Sequence, residues 1–146
     1  MRFTETKKHK VVDVTTAEQV AQVDGLVVDP DQQAVVAVRL RKVKGTGTVV
    51  PWSDLKSFGP DAVTVEGTAS FRDAADEHER RAVGLDILGV LVLTDQGRAV
   101  GRVDDVDFDP GTGMISSVIT DGGEIPGANI LGLGAHALVV TEPRES

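Results

Sequence analysis

Val20-Ala21-Gln22-Val23-Asp24-Gly25-Leu26-Val27-Val28-Asp29-Pro30 is written a second time, eighty residues later. The second writing is Val100-Gly101-Arg102-Val103-Asp104-Asp105-Val106-Asp107-Phe108-Asp109-Pro110. Val20, Val23, Asp24, Asp29 and Pro30 recur, and at the same offset Val12 falls on Val92. The apolar positions carry more information than the identities. They run Val20, Val23, Leu26, Val28 in one copy and Val100, Val103, Val106, Phe108 in the other, with steps of three, three and two. A regular strand steps by two throughout. An extra residue at a bulge produces a step of three, and small barrels need such bends to close. A helix also makes steps of three, but the β-branched content, Gly25 and the Asp-Pro terminators favour a strand.

The similarity continues outward at a different offset. Shifted by 75, Val50–Val65 falls on Ile125–Val140, and Pro51, Gly59, Ala62 and Val65 recur. Leu55 meets Ile130 and Phe58 meets Leu133, so apolar character is kept. A loop absorbs the five-residue change, and the first copy has the longer tip, around Lys42–Gly47. Each copy reads as five short strands. In the second these are Val90–Leu93, Ala99–Phe108, Met114–Thr120, Glu124–Ile125 and Ala137–Thr141, with one helical turn at Ala128–Leu131. Turns at Asp109–Gly113 and Asp121–Gly123 punctuate them. Thr68–Ala82 predicts a short exposed helix. Ser70 with Asp73 has the capping-box spacing. Asp76 with Arg80 and Glu77 with Arg81 are i,i+4 pairs worth about 0.2–0.5 kcal/mol each. The expected fold is all-β: two small barrels in tandem, each around its own core, joined by a short α-helix. The boundaries read 5–67, 68–82 and 83–143.

At this point the motifs resemble a known family. Val100–Pro110 followed by Gly111-Thr112-Gly113 is similar to the long first hairpin of PRC-barrel domains. Val50-Pro51-Trp52-Ser53-Asp54-Leu55, then Gly59–Val65, resembles that family's closing half. PRC-barrels occur in the cytoplasmic part of the photosynthetic reaction-centre H subunit, in a ribosome-maturation factor and in stand-alone tandem proteins. The resemblance implies a binding and assembly module, with no catalytic residues to carry over. The membrane helix of the reaction-centre subunit and the N-terminal domain of the ribosome factor are both missing, so neither specific role is expected.

Composition bounds the alternatives. The 146 residues are 40% hydrophobic and 26% charged, which suits a globular chain. Four Phe, one Trp and no Tyr leave the core to Val, Leu, Ile and Ala. The absence of Cys removes disulfides, thiolate metal sites and cysteine nucleophiles. No apolar run approaches the ~20 residues of a membrane span, and the polar N-terminus lacks a signal core, so a cytoplasmic protein is expected. Residues 1–60 hold nine Lys and Arg against seven Asp and Glu, and residues 61–146 hold six against sixteen. The net charge of −8 is therefore +2 and −10; the acidity keeps the chain soluble, and the alternative is two faces of opposite character that meet different partners or each other in a dimer.

The chemistry-bearing residues point away from catalysis. Asp105, Asp107 and Asp109 alternate as in a calcium loop, but Pro110 and Ser116 stand where an EF-hand needs Gly and Glu. On a strand, the three carboxylates share a solvent face. His9, His78 and His136 show no ligand spacing. Ser116 and Ser117 lack a nucleophile elbow, and Gly132-Leu133-Gly134 lacks a dinucleotide-binding context. No catalytic residue, cofactor or metal is expected. The candidate partner-binding residues are Arg39, Arg41, Lys42 and Lys44 on one hairpin, and Trp52, whose place Gly127 takes in the second copy. Lys7, Lys8 and Lys10 would add to the hairpin's charge if they lie beside it.

A non-enzymatic adaptor for a protein partner is the expected function, with self-association through open strand edges compatible with it. The first alternative is an RNA- or ribosome-associated factor using the basic hairpin 39–44. Nucleic acid is disfavoured, because no aromatic stacking residues accompany those cations. The second alternative is a regulatory module docking on a membrane complex.

Overall fold

The computed structural model describes residues 1–142, apart from the side chains of residues 77 and 78. Two six-stranded sheets follow each other along the chain. The first contains β1 (Lys10–Asp13), β2 (Glu18–Asp29), β3 (Ala34–Arg41), β4 (Val49–Pro51), β5 (Leu55–Phe58) and β6 (Ala62–Val65). The second contains β7 (Leu91–Thr94), β8 (Ala99–Phe108), β9 (Ile115–Thr120), β10 (Gly123–Pro126), β11 (Ile130–Leu133) and β12 (Ala137–Val140). Their strand orders are the same, β4-β3-β2-β1-β6-β5 and β10-β9-β8-β7-β12-β11. The β1–β6 and β7–β12 pairs run parallel, which sets the start of each unit beside its end and curls the sheet. Each unit has one strand more than the sequence predicts. β5 and β11 follow 3₁₀ turns at Trp52–Asp54 and Gly127–Asn129, and Gly132 interrupts the apolar signal of β11. The turn expected at Ala128–Leu131 sits one residue earlier and is shorter.

The steps of three are bulges, at Val20 against β1 and Asp24 against β3 and likewise at Val100 and Asp104, while a further slip in the step of two carries its extra residue on the neighbouring strand. β2 slips against β3 between Val23 and Gly25, and again between Val27 and Val28. β8 slips against β9 between Val103 and Asp105, and between Asp107 and Phe108. These are the same sites at an offset of eighty. Each bulge increases the local twist, so Val23, Leu26 and Val28, like Val103, Val106 and Phe108, all reach the interior. One identity is misaligned in the sequence reading. Val11 pairs with Ala21 as Val92 pairs with Gly101, so Val92 corresponds to Val11 and not to Val12. The turn after β1 is one residue longer and absorbs the shift.

The two interiors are continuous, unlike the separate cores expected. Buried side chains of both sheets form one cluster, and aromatic rings join its halves. Trp52 stacks on Phe58 with centroids 5.2 Å apart, and Phe58 meets Phe108 edge-on at 5.6 Å. Such pairs contribute about 0.5–1.5 kcal/mol beyond their burial. At the centre of the contact, Ala34 bridges Met114. Val35 N–H donates to the Gly113 carbonyl (2.7 Å), and Ile115 N–H donates to the Gln33 carbonyl (3.0 Å). A shift of eighty exchanges these two bonds, which marks a local two-fold axis through the bridge.

The segments leading into the barrels obey the same symmetry. Helix α1 (Phe3–Thr6) precedes the first barrel but packs on β8 of the second. Helix α2 (Glu77–Gly84) precedes the second barrel but packs on β2 of the first. α2 is later and shorter than predicted. Asp76 is its N-cap, accepting from Glu79 N–H at 2.8 Å, and Ser70 lies outside the helix. The preceding residues are drawn into other work. Phe71 is buried, while Arg72 N–H and C=O pair with Val49 at 2.9 Å each and extend the edge of β4. Burying Phe71 outweighs another turn of exposed helix. The predicted Glu77–Arg81 pair lies outside the described side chains, and Glu79 instead pairs with Arg72.

Candidate interaction surfaces

Trp52 is half-buried, with its ring wedged between the barrels. It follows β4, lies on Phe58, and meets Phe108 edge-on at 6.0 Å. Gly113 passes so close that an added Cβ would sit 3.3 Å from the indole and 2.4 Å from the Val35 carbonyl oxygen. Across the two-fold axis the pair is inverted. Gly127 replaces Trp52, and Gln33 replaces Gly113. The Gln33 amide fills the space by donating to the carbonyls of Ala128 (2.7 Å) and Ile130 (2.9 Å). An open groove of about 410 Å³ runs past Trp52 between Phe58 and Pro110–Gly111.

The four hairpin cations have separate fates. Arg39 is partly buried, with Nε 2.8 Å from the Asp24 carboxylate and Nη1 2.9 Å from the Val83 carbonyl. It fastens α2 to the first sheet. Arg41 donates to the Gln22 side chain (2.9 Å), and Lys44 pairs with Glu18 (3.0 Å) on the surface. Lys42 is exposed, in the left-handed region at φ 51°. The Gln22 amide also reaches the Lys8 carbonyl at 3.2 Å, so the N-terminal lysines do approach the base of the hairpin.

The alternating aspartates do not share one solvent face. Asp105 accepts from Thr4 N–H (3.0 Å) and hydroxyl (2.6 Å), and Asp107 accepts from the Met1 ammonium (2.9 Å). Asp109 caps its own turn through Gly111 N–H (2.7 Å). Among the described residues, no group of three or more His, Asp or Glu is arranged to hold a metal. His9 stacks on Phe58, His136 is exposed, and the His78 side chain is outside the described set.

Two other carboxylates serve as staples. Bonds from the Thr15 hydroxyl, then Thr15 and Gly67 N–H, hold Asp13 below the usual carboxylate range. In the second barrel Thr94 takes that position, and the carboxylate arrives from the other strand as Glu142. Thr94 and then Arg98 lower its pKa in the same way.

The surface that sequence reasoning missed lies on the outside of the first sheet. Val27, Ala37 and Val49 are buried there in a small cluster of their own, with Val36, Ala82 and Val83 against it. α2 covers only part of this face. A groove of about 880 Å³ remains between the helix and β2–β3, reaching Leu133–Ala135 of the second barrel. The corresponding residues of the second barrel are Asp107, Ser116, Ser117 and Glu124, all polar. One signal was available. Ala34–Val38 is an unbroken apolar run where Ser116 and Ser117 interrupt Met114–Val118, and a strand apolar on both sides is covered on both sides.

The family model of the PRC-barrel domain matches residues 85–145. That stretch, which holds the second barrel, is similar to a PRC-barrel domain. The first half repeats the strand order, bulges and pairing register of that PRC-barrel, so the fold occurs twice in tandem. No curated protein matches the chain. No helix of the described residues is long and apolar enough to cross a membrane.

Proposed function

We propose that this tandem PRC-barrel protein is a non-enzymatic adaptor, docking a protein partner while its two barrels move as one body in the cytoplasm. PRC-barrels are interaction and assembly modules, which supports the coarse reading. One observation carries the finer one: the outer face of the first barrel is apolar beside an open groove, whereas the matching face of the second is polar and covered. Val36, partly exposed at the edge of this groove, is the apolar contact that a partner would cover. Cross-linking the intact chain to its partners, with cross-link sites mapped by mass spectrometry, tests this. Contacts should concentrate on the first barrel and α2, and a chain that recovers no partner refutes the adaptor reading.

The basic hairpin supports a second reading, as an RNA-associated factor, because Gln22 joins Lys8 and Arg41 on adjacent segments. Its support is thinner, since Arg39 and Lys44 already face carboxylates. RNA titration across salt concentrations separates the two readings. Counterion release makes phosphate binding strongest at low salt, so no affinity there dismisses RNA. Arg41→Glu with Lys42→Glu should abolish any affinity that is found.

A further inference from the structure

The strands that meet at the two-fold axis lead to opposite ends of the molecule. The Ala34–Met114 bridge is antiparallel, so β3 and β9 run apart from it. β3 reaches Arg41 and β9 reaches Asp121, each roughly 20 Å along its strand from the bridge at ~3.3 Å per residue. Pairing register makes these two ends equivalent. In the first barrel Val23 faces Leu40 and Gln22 faces Arg41. In the second Val103 faces Thr120, and Arg102 N–H donates to the Asp121 carboxylate (3.1 Å).

The equivalent ends carry opposite charge. Lys10, Gln22 and Arg41 stand side by side across β1, β2 and β3. Gln22 steadies this row, accepting from Arg41 Nε (2.9 Å) and donating to the Lys8 carbonyl (3.2 Å). Lys8, Lys10 and Lys42 are exposed, and none of them pairs with a carboxylate among the described residues. Glu18, beside the hairpin, is taken by Lys44. In the second barrel the row reads Leu91, Arg102 and Asp121, and Gly89 stands where Lys8 stands. Arg102 turns its guanidinium to the Gly89 carbonyl (3.1 Å). Asp104, the bulge residue of β8, Asp121 at the tip and Glu124 in β10 are exposed there. No lysine or arginine side chain among the described residues pairs with any of the three.

We infer that the basic end of the first barrel docks the acidic end of a second copy, so that chains associate end to end. A nucleic acid would use the basic end alone, whereas a second copy uses both. Exposed ion pairs are individually weak, and complementarity acts on orientation and encounter more than on affinity. The association is therefore weak and salt-dependent. It is also heterologous: every contact leaves one free end of each sign, so it does not close at two copies. This goes beyond the adaptor reading, which concerns the α2 face of the first barrel. Losing the end contact leaves cross-links to a foreign partner on that face in place.

Sedimentation equilibrium of the full chain tests this. At about 0.1 M salt, where charges act over about 10 Å, the average mass should climb with protein concentration past that of two chains. At about 1 M, where their reach is about 3 Å, it should return to that of one. Lys10→Glu with Lys42→Glu should abolish the association, and so should Asp104→Lys with Glu124→Lys. The second pair is the sharper test. It takes the net charge from −8 to −4, so general repulsion alone would predict stronger association. Mixing the two variants returns a basic end to each acidic end and should restore the climb in mass. All four positions are exposed, so circular dichroism and Tm should not change, and the salt series needs no variant. A single-chain mass throughout, or one that stops at two chains, overturns the inference. So does association that survives either double variant, or a mixture no heavier than its components. If the basic end binds RNA while the mass stays at one chain, the surface belongs to RNA and the inference falls.

Discussion

Residues 26–50 and 106–125 trace the same strands through the same bulges and carry opposite outer faces. The interior positions agree: Leu26, Val28 and Val38 answer to Val106, Phe108 and Val118, all buried. The exterior positions part company: Val27, Val36, Ala37 and Val49 answer to Asp107, Ser116, Ser117 and Glu124. The inner face must close a barrel in both halves, so its chemistry is shared. The outer face answers only to what lies on it, a polar arm in one half and the Ala82–Val83 end of α2 with a groove in the other. Duplication preserved the shell and released the surface.

The largest expected effect tests whether the two halves are separable. Phe108→Ala removes a fully buried ring that meets Phe58 and Trp52 across the contact. It should cost about 3–5 kcal/mol in urea unfolding. Because the cluster is continuous, intrinsic fluorescence and far-UV circular dichroism should shift together in one transition. Two separated transitions would mean independent barrels.

Next is the clamp that only the first half possesses. Arg39→Ala should cost about 1–2 kcal/mol, since it removes a partly exposed ion pair and frees the end of α2. Arg41→Ala, on the same strand, should change stability by less than about 0.5 kcal/mol. Amide exchange at Ala82–Leu85 should quicken in the first variant and not in the second.

A smaller effect probes the broken symmetry at the axis. Gly127→Ala would place a Cβ 1.9 Å from the Ile115 carbonyl oxygen. Backbone must shift to admit it, at about 1–3 kcal/mol, measurable as a lowered Tm. If the cost is absent, the two copies can exchange Trp52 and Gly127 more freely than their packing suggests.

The smallest effect depends on pH. Asp13 is depressed in the folded state, so its contribution is full above the ordinary carboxylate pKa near 3.8 and is lost as pH falls through the folded value. Asp13→Asn should lower stability at neutral pH and change it least in strong acid, so the acid limb of the stability curve flattens. Glu142→Gln should do the same for the second barrel, from the opposite strand.

Much of the fold was legible in the residues. The steps of three located the bulges at Val20, Asp24, Val100 and Asp104 but not the slips whose extra residues lie on β3 and β9, and the offsets of 80 and 75 located the hairpin whose length differs. The linker was misread, because Ser70 and Asp73 satisfy a local capping pattern while Phe71 is pulled into the core by residues distant in sequence. The candidate site was legible only in part. Arg39 looks like its neighbours Arg41 and Lys42, and only α2, more than forty residues away in the chain, makes it a structural clamp.

The repeated shell is written in the residues themselves, because side-chain direction along a strand is a local property and apolar spacing reports it. The tertiary structure alone decided which charges are engaged, where the two-fold axis lies and which outer face stays open. Those depend on which distant segment comes to rest on each strand, and no residue's immediate neighbours carry that information.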